Sequence, residues 1–168
     1  STETTLIVPD IGEPAIVHVA VQRLPDTRIH CVRSDGVVAV LVYNPAENVL
    51  CWVTVTTDGT VEDVVVLPGD VEDRVYYVVN RTINGVTKRY LEKWALESDA
   101  RGATVTLTSD SFISYTGAAV TSLSGLDHLN GKTVTVWGNG KDLGTKTVVA
   151  GVIDTLPEAV TSAYVGIP

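Results

Sequence analysis

The sequence predicts an all-β protein, with antiparallel propeller-like or sandwich sheets over residues 1–108 followed by a small β-barrel over residues 109–168. Three observations carry this. Between Leu50 and Trp94 the dipeptides Asp58-Gly59 and Asn84-Gly85 suit two-residue turns with positive φ, and each lies between runs rich in Val, Thr, Ile and Tyr. Turn signals recur about every ten residues, the rhythm of sandwiches, barrels and propellers. Runs such as Val37–Tyr43 and Val64–Leu67 are apolar at nearly every position, so both faces of those strands are covered and the sheets must stack.

Taken in order, Ala15–Arg23 is β-prone and is broken by Leu24-Pro25-Asp26. Arg28–Arg33 and Val37–Tyr43 follow, separated by the turn Ser34-Asp35-Gly36. Asn44-Pro45-Ala46-Glu47-Asn48 makes a tight connection into Leu50–Thr57, which Asp58-Gly59 folds back as Thr60–Leu67. Arg74–Thr82 and Val86–Leu96 form the next hairpin, in which Asn84-Gly85 sets Val79 opposite Tyr90 and Val75 opposite Trp94. Glu97–Gly102 is polar and marks a change of domain between residues 96 and 111. Beyond it the strands shorten, at Phe112–Tyr115, Ala118–Leu123, Lys132–Trp137, Gly144–Ala150 and Ala159–Val165, with Leu126–Gly131 as a loop or single helical turn. Five short strands in so small a span suit a barrel.

Composition narrows the function. The chain carries 12 basic and 20 acidic residues, a formal charge of −8. That balance argues against gripping nucleic acid, which depends on Lys and Arg neutralising phosphates. No apolar run reaches the roughly 18 residues of a membrane-spanning helix. The chain has no Met, and its opening Ser1–Thr5 and close at Gly166-Ile167-Pro168 read as cuts through a longer polypeptide. Cys31 and Cys51 sit in apolar strands and read as buried free thiols.

The motifs that could carry chemistry are few. Trp137–Gly144 contains a glycine-rich loop, but the run that follows is a strand, so it reads as a hairpin and not as a phosphate cradle at a helix start. His18, His30 and His128 lack metal-ligand spacing, and no Gly-x-Ser-x-Gly elbow exposes a nucleophile. Asn80-Arg81-Thr82 fits the glycosylation pattern without other signs of secretion.

One charge pattern stands out. Asp58, Glu62, Asp63, Asp70, Glu72 and Asp73 form an acidic stretch without a base, a candidate acidic surface. Arg74, Arg81, Lys88, Arg89 and Lys93 follow against Glu92 alone, a candidate basic inter-subunit surface. The two segments can pair within the fold or set the register between copies in a ring. The same acids could alternatively form a glycosidase pair or a calcium loop, since both need converging carboxylates.

Three runs together carry a resemblance: Gln22–His30, Val61–Gly69 and Val78–Trp94, joined later by Leu126–Trp137 and Val165–Pro168. In this order, from about Ala15 to the end, the chain resembles the tail nozzle, or tail tubular protein B, family of short-tailed bacteriophages. The resemblance implies a virion structural component in the tail, synthesised and assembled in the bacterial host cytoplasm. It implies hexameric rings of the full-length protein beneath the portal, in contact with tail adaptor and tail fibre proteins. It further implies propeller-like sheets with small barrels, a channel through which DNA passes without specific binding, and neither a catalytic motif nor a cofactor. An acidic lumen would let DNA slide by repelling its backbone. Two other readings compete. One is a receptor- or glycan-binding tail module using Tyr76, Tyr115 and Tyr164, and the other is a polysaccharide-degrading enzyme using Glu62 or Asp63.

Overall fold

β-Branched runs punctuated by Gly, Pro, Asn and Asp fold into eleven strands, which the computed structural model places in three antiparallel sheets over its described residues, 10–100 and 109–168. Much of the expected domain boundary (101–108) and the opening Ser1–Thr5 lie outside the described residues. The strands are β1 Ile16–Gln22, β2 Thr27–Arg33, β3 Val38–Asn44, β4 Val49–Val55, β5 Thr60–Leu67, β6 Arg74–Ile83, β7 Val86–Lys93, β8 Asp110–Val120, β9 Thr133–Gly138, β10 Lys141–Thr147 and β11 Val160–Ile167. The chain divides into two compact units, residues 1–82 with 87–96 and residues 83–86 with 97–168.

In the first unit, β1-β2-β3-β4 is a sequential meander and β5-β6-β7 a second sheet. Their inner faces share a core: Val32, Val38 and Val40 from the meander meet Val61, Val64, Val75, Tyr77 and Val79 from the second sheet. Each such aliphatic side chain contributes roughly 1.5–3 kcal/mol by leaving water. The two-residue turn at Asn84-Gly85 has the positive φ its residues favour, 51° and 78°. The register it sets is visible where Trp94 N donates to Val75 O at 2.9 Å.

Asp58-Gly59 behaves otherwise. β4 and β5 belong to different sheets, so this dipeptide is a crossing from one sheet to the other and not a hairpin turn. Neither residue has positive φ. Glycine is needed there for space: a Cβ on Gly59 would lie 2.8 Å from Asn80 O and 2.9 Å from Arg81 Cγ, against the backbone of β6.

In the second unit the strand order is β10-β9-β11-β8, and the sheet does not close into a barrel. The expected strands at 112–115 and 118–123 are largely one strand, β8, whose pairing with β11 slips twice. Asn139-Gly140, with φ of 50° and 77°, makes a tight β9–β10 hairpin from the glycine-rich loop. Closure is unnecessary because loop segments cover one face. Leu123, Leu126, Leu129, Ile153 and Leu156 pack with Val134, Val136, Val160, Ala163 and Val165 of the sheet. A 3-10 turn at Asp127–Leu129 sets Leu129 into that core.

Candidate functional site

The expected charged surfaces lie on β5–β7 and the segment before β6, and the geometry divides them. Asp58, Asp63 and Asp70 are exposed and Glu62 and Glu72 half-buried, while Arg74, Lys88, Arg89 and Lys93 are exposed. The β5–β6 register shift between Val61 and Asp63 sets Asp63 opposite Val78 and returns Val64 inward opposite Tyr77, leaving Glu62 between the paired positions. Its carboxylate accepts from Arg89 Nε at 2.5 Å and from Asn80 Nδ2 at 3.3 Å. The Arg89 hydrogen bond is the main reason its acidity lies on the strong side of the usual carboxylate range. Asp63 sits 3.4 Å from His18 Nδ1 of β1, and its Oδ1 also accepts from Val64 N. Glu62 and Asp63 are therefore engaged with different neighbours and do not form a converging carboxylate pair.

Two expected surface residues are interior. Asp73 is only 7% exposed and Arg81 4%. The Asp73 carboxylate accepts from Arg23 N at 2.7 Å, Leu24 N at 3.1 Å and Gly69 N at 3.2 Å, joining the β1–β2 turn to the loop before β6. These backbone donors, Arg23 foremost, hold its carboxyl below the ordinary aspartate range. Arg81 grips Glu92 of β7 through Nε at 2.5 Å and Nη2 at 2.7 Å. It also donates to Asp58 O at 3.0 Å and Thr57 Oγ1 at 2.5 Å, so its guanidinium fastens the crossing between the sheets. Neither residue is available to an inter-subunit surface.

The sequence reading missed a buried polar cluster between the sheets. His30 is fully buried, with Nδ1 2.6 Å from Tyr77 Oη and Nε2 3.2 Å from Gln22 Oε1. Gln22 Nε2 donates to Leu24 O at 2.8 Å, so its oxygen faces the imidazole. That fixes the neutral tautomer: Nε2–H donates to Gln22 and Nδ1 accepts from the Tyr77 hydroxyl. Trp94 meets His30 edge-on, with ring centroids 5.2 Å apart. Burial, with a smaller contribution from the Arg28 charge, lowers the His30 pKa from 6.5 to about 4. Burial likewise pushes the Tyr77 phenol upward, so both groups are neutral at pH 7. The available signal was the alternation, which puts Gln22 and His30 on the same inward face as Val32.

The remaining candidates are dispersed. Cys31 is buried, but Cys51, expected to be buried, is exposed on β4. Tyr76, Tyr115 and Tyr164 are half-buried, and the Tyr115 hydroxyl donates to Ala118 O at 2.6 Å. His128 bonds Ser111 O through Nε2. Among the described residues no His, Cys, Asp and Glu group could hold a metal ion, and no helix is long and apolar enough to cross a membrane. No family model matches the chain, and no curated protein matches it.

Proposed function

We propose that this chain is a structural section of a bacteriophage tail protein of the nozzle or connector type, part of a ring whose channel lets DNA leave the head. The ordered series of motifs from Gln22 to Pro168 that resembles that family carries the reading. It is supported by the sequential four-stranded meander β1–β4, the layout of one propeller blade. In this reading the meander belongs to a propeller-like array completed by further sequence or neighbours. In the same reading the open sheet β10-β9-β11-β8 stands where the resemblance implies a small barrel.

The reading also gives a role to the charge. A chain of net −8 presents a surface over which a polyanion slides without adhering. The exposed acids Asp58, Asp63 and Asp70 contribute to it. Chemistry on Glu62 and Asp63 has little support, because each carboxylate is committed to a different partner. Partners in this reading are other copies of the chain, the tail adaptor and tail fibre proteins, and the site of action is the virion tail.

The test is light scattering and negative-stain imaging of the full-length parent, alone and with phage heads lacking their nozzle. Closed rings, or particles docked beneath the portal, are expected. Isolated particles that never dock would overturn the proposal and bring the glycan-binding alternative forward.

A further inference from the structure

We propose that the outer face of the second unit's sheet binds an extended, neutral saccharide chain, which lies across the strands on the rings of Trp137 and Tyr164. The site rests on the register of this sheet and is independent of the tail reading.

The pleat sorts the sheet into two faces. Val134, Val136, Ala163 and Val165 belong to the loop-covered core. Thr135, Trp137 and Tyr164 alternate with them and stand on the other side. Register then sets four residues in one row across all four strands. Asp142 lies opposite Trp137, Trp137 opposite Tyr164, and Tyr164 opposite Ser114. Both aromatic residues are half-buried, as rings lying against a sheet are, and neither belongs to a core cluster of the described residues.

The spacing and chemistry of this row fit a sugar chain. Neighbouring strands lie about 4.8 Å apart, so the two rings are about that far apart and the row is about 14 Å long. An extended β-linked hexose chain repeats at a similar interval, and each pyranose offers a C–H-rich face to the electron-rich face of an aromatic ring. Hydroxyl groups flank the rings. Thr135 and Thr145 pair in the row on one side, and Ser162 and Thr116 pair on the other. At the end of the row the Asp142 carboxylate is fixed by Gly144 N, which donates to its Oδ1 at 2.8 Å. These groups can donate to and accept from sugar hydroxyls.

Other polymers fit this face poorly. Lys141 and Lys146 of β10 pair with Gly138 and Val134, which lie on the opposite face, so the row holds a carboxylate and no base for a polyanion. Among the described residues from 109 onward the one exposed large aliphatic is Val149, outside the sheet, so the rings lack the apolar surround of a protein interface. The tyrosines also separate. Tyr115 packs on the core side with its hydroxyl committed to Ala118 O, and Tyr76 belongs to the other unit. Only Tyr164 of the three stands beside a tryptophan in this row.

Nuclear magnetic resonance of the nitrogen-labelled chain, titrated with cellohexaose, tests this. The indole N–H of Trp137 and the amides of β9 and β11 should shift at millimolar sugar, while the indoles of Trp52 and Trp94 stay in place. Maltohexaose, the same hexose in a coiled α-linked chain, should bind about tenfold more weakly. Trp137→Ala should weaken cellohexaose binding by about tenfold. Ser114→Arg, at an exposed position, lays a long side chain over the row and should do the same with an otherwise unchanged spectrum. Tyr115→Phe should leave binding intact. Absence of shifts at millimolar cellohexaose, shifts confined to the first unit, equal binding of maltohexaose, or indifference to both Trp137→Ala and Ser114→Arg overturns the proposal.

Discussion

Acid should loosen the first unit through His30, and the amount follows from its surroundings. The imidazole is neutral in the fold because burial and Arg28 lower its pKa from 6.5 to about 4. An unfolded chain keeps the ordinary value, so between these limits the unfolded state binds the extra proton. Stability from a neutral His30 is complete above about pH 7 and falls as the pH drops through 6.5. The loss reaches about 2 kcal/mol at pH 5 and about 3 kcal/mol at pH 4, where it levels off as the folded imidazole also titrates. The physical event is specific: a second N–H at Nδ1 would point at the Tyr77 hydroxyl, which currently donates there. Urea unfolding followed by tryptophan fluorescence from pH 7.5 to 4, in the native chain and His30→Gln, isolates this contribution from carboxylate titrations. The native minus variant difference should shrink by those amounts, and the His30 ring resonance should titrate near 4. An unchanged difference, or a ring titrating near 6.5, would refute the reasoning.

Other outcomes follow from the same structure. Asp73→Ala should cost about 2–4 kcal/mol in urea unfolding, because it orphans the N–H groups of Arg23, Leu24 and Gly69. Arg81→Ala should cost about 3 kcal/mol by freeing Glu92 and the sheet crossing, whereas Arg89→Ala, removing an exposed and solvent-screened pair, should leave the urea midpoint nearly unchanged. Leu126→Ala should lower the stability of the second unit by about 2–5 kcal/mol, read by amide exchange at β9 and β11. If the tail reading holds, rings carrying Asp58→Asn, Asp63→Asn and Asp70→Asn should retain DNA that native rings release, measured by filter binding.

Much of the strand layout was legible because it is local. Asn84-Gly85 and Asn139-Gly140 are turns whose residues dictate their φ, and the strands beside them alternate as the pleat requires. Asp58-Gly59 has the same composition, yet its glycine answers to β6 passing close by, a neighbour far along the chain. The open sheet escaped for a similar reason. Whether Leu123, Leu126 and Ile153 cap a sheet or line a barrel depends on where the loops fold. The charged stretch was visible as a pattern, but nothing in it distinguishes Asp73 and Arg81, which are interior, from Asp70 and Arg74, which are not. The choice is made by backbone donors of the β1–β2 turn and by Glu92. The role of His30 is not legible in the spacing of the histidines, because its partners arrive from β1, β6 and the residue after β7.

In the second unit β11, the last of the eleven strands, lies between β9 and β8 and is bonded to both. The β9–β10 hairpin can form from neighbouring residues, but β8 has no strand to bond until β11 arrives about forty residues later. Assembly of this sheet is therefore ordered by synthesis. Until β11 emerges from the ribosome, β8 has no strand to pair with and its backbone groups are left to water.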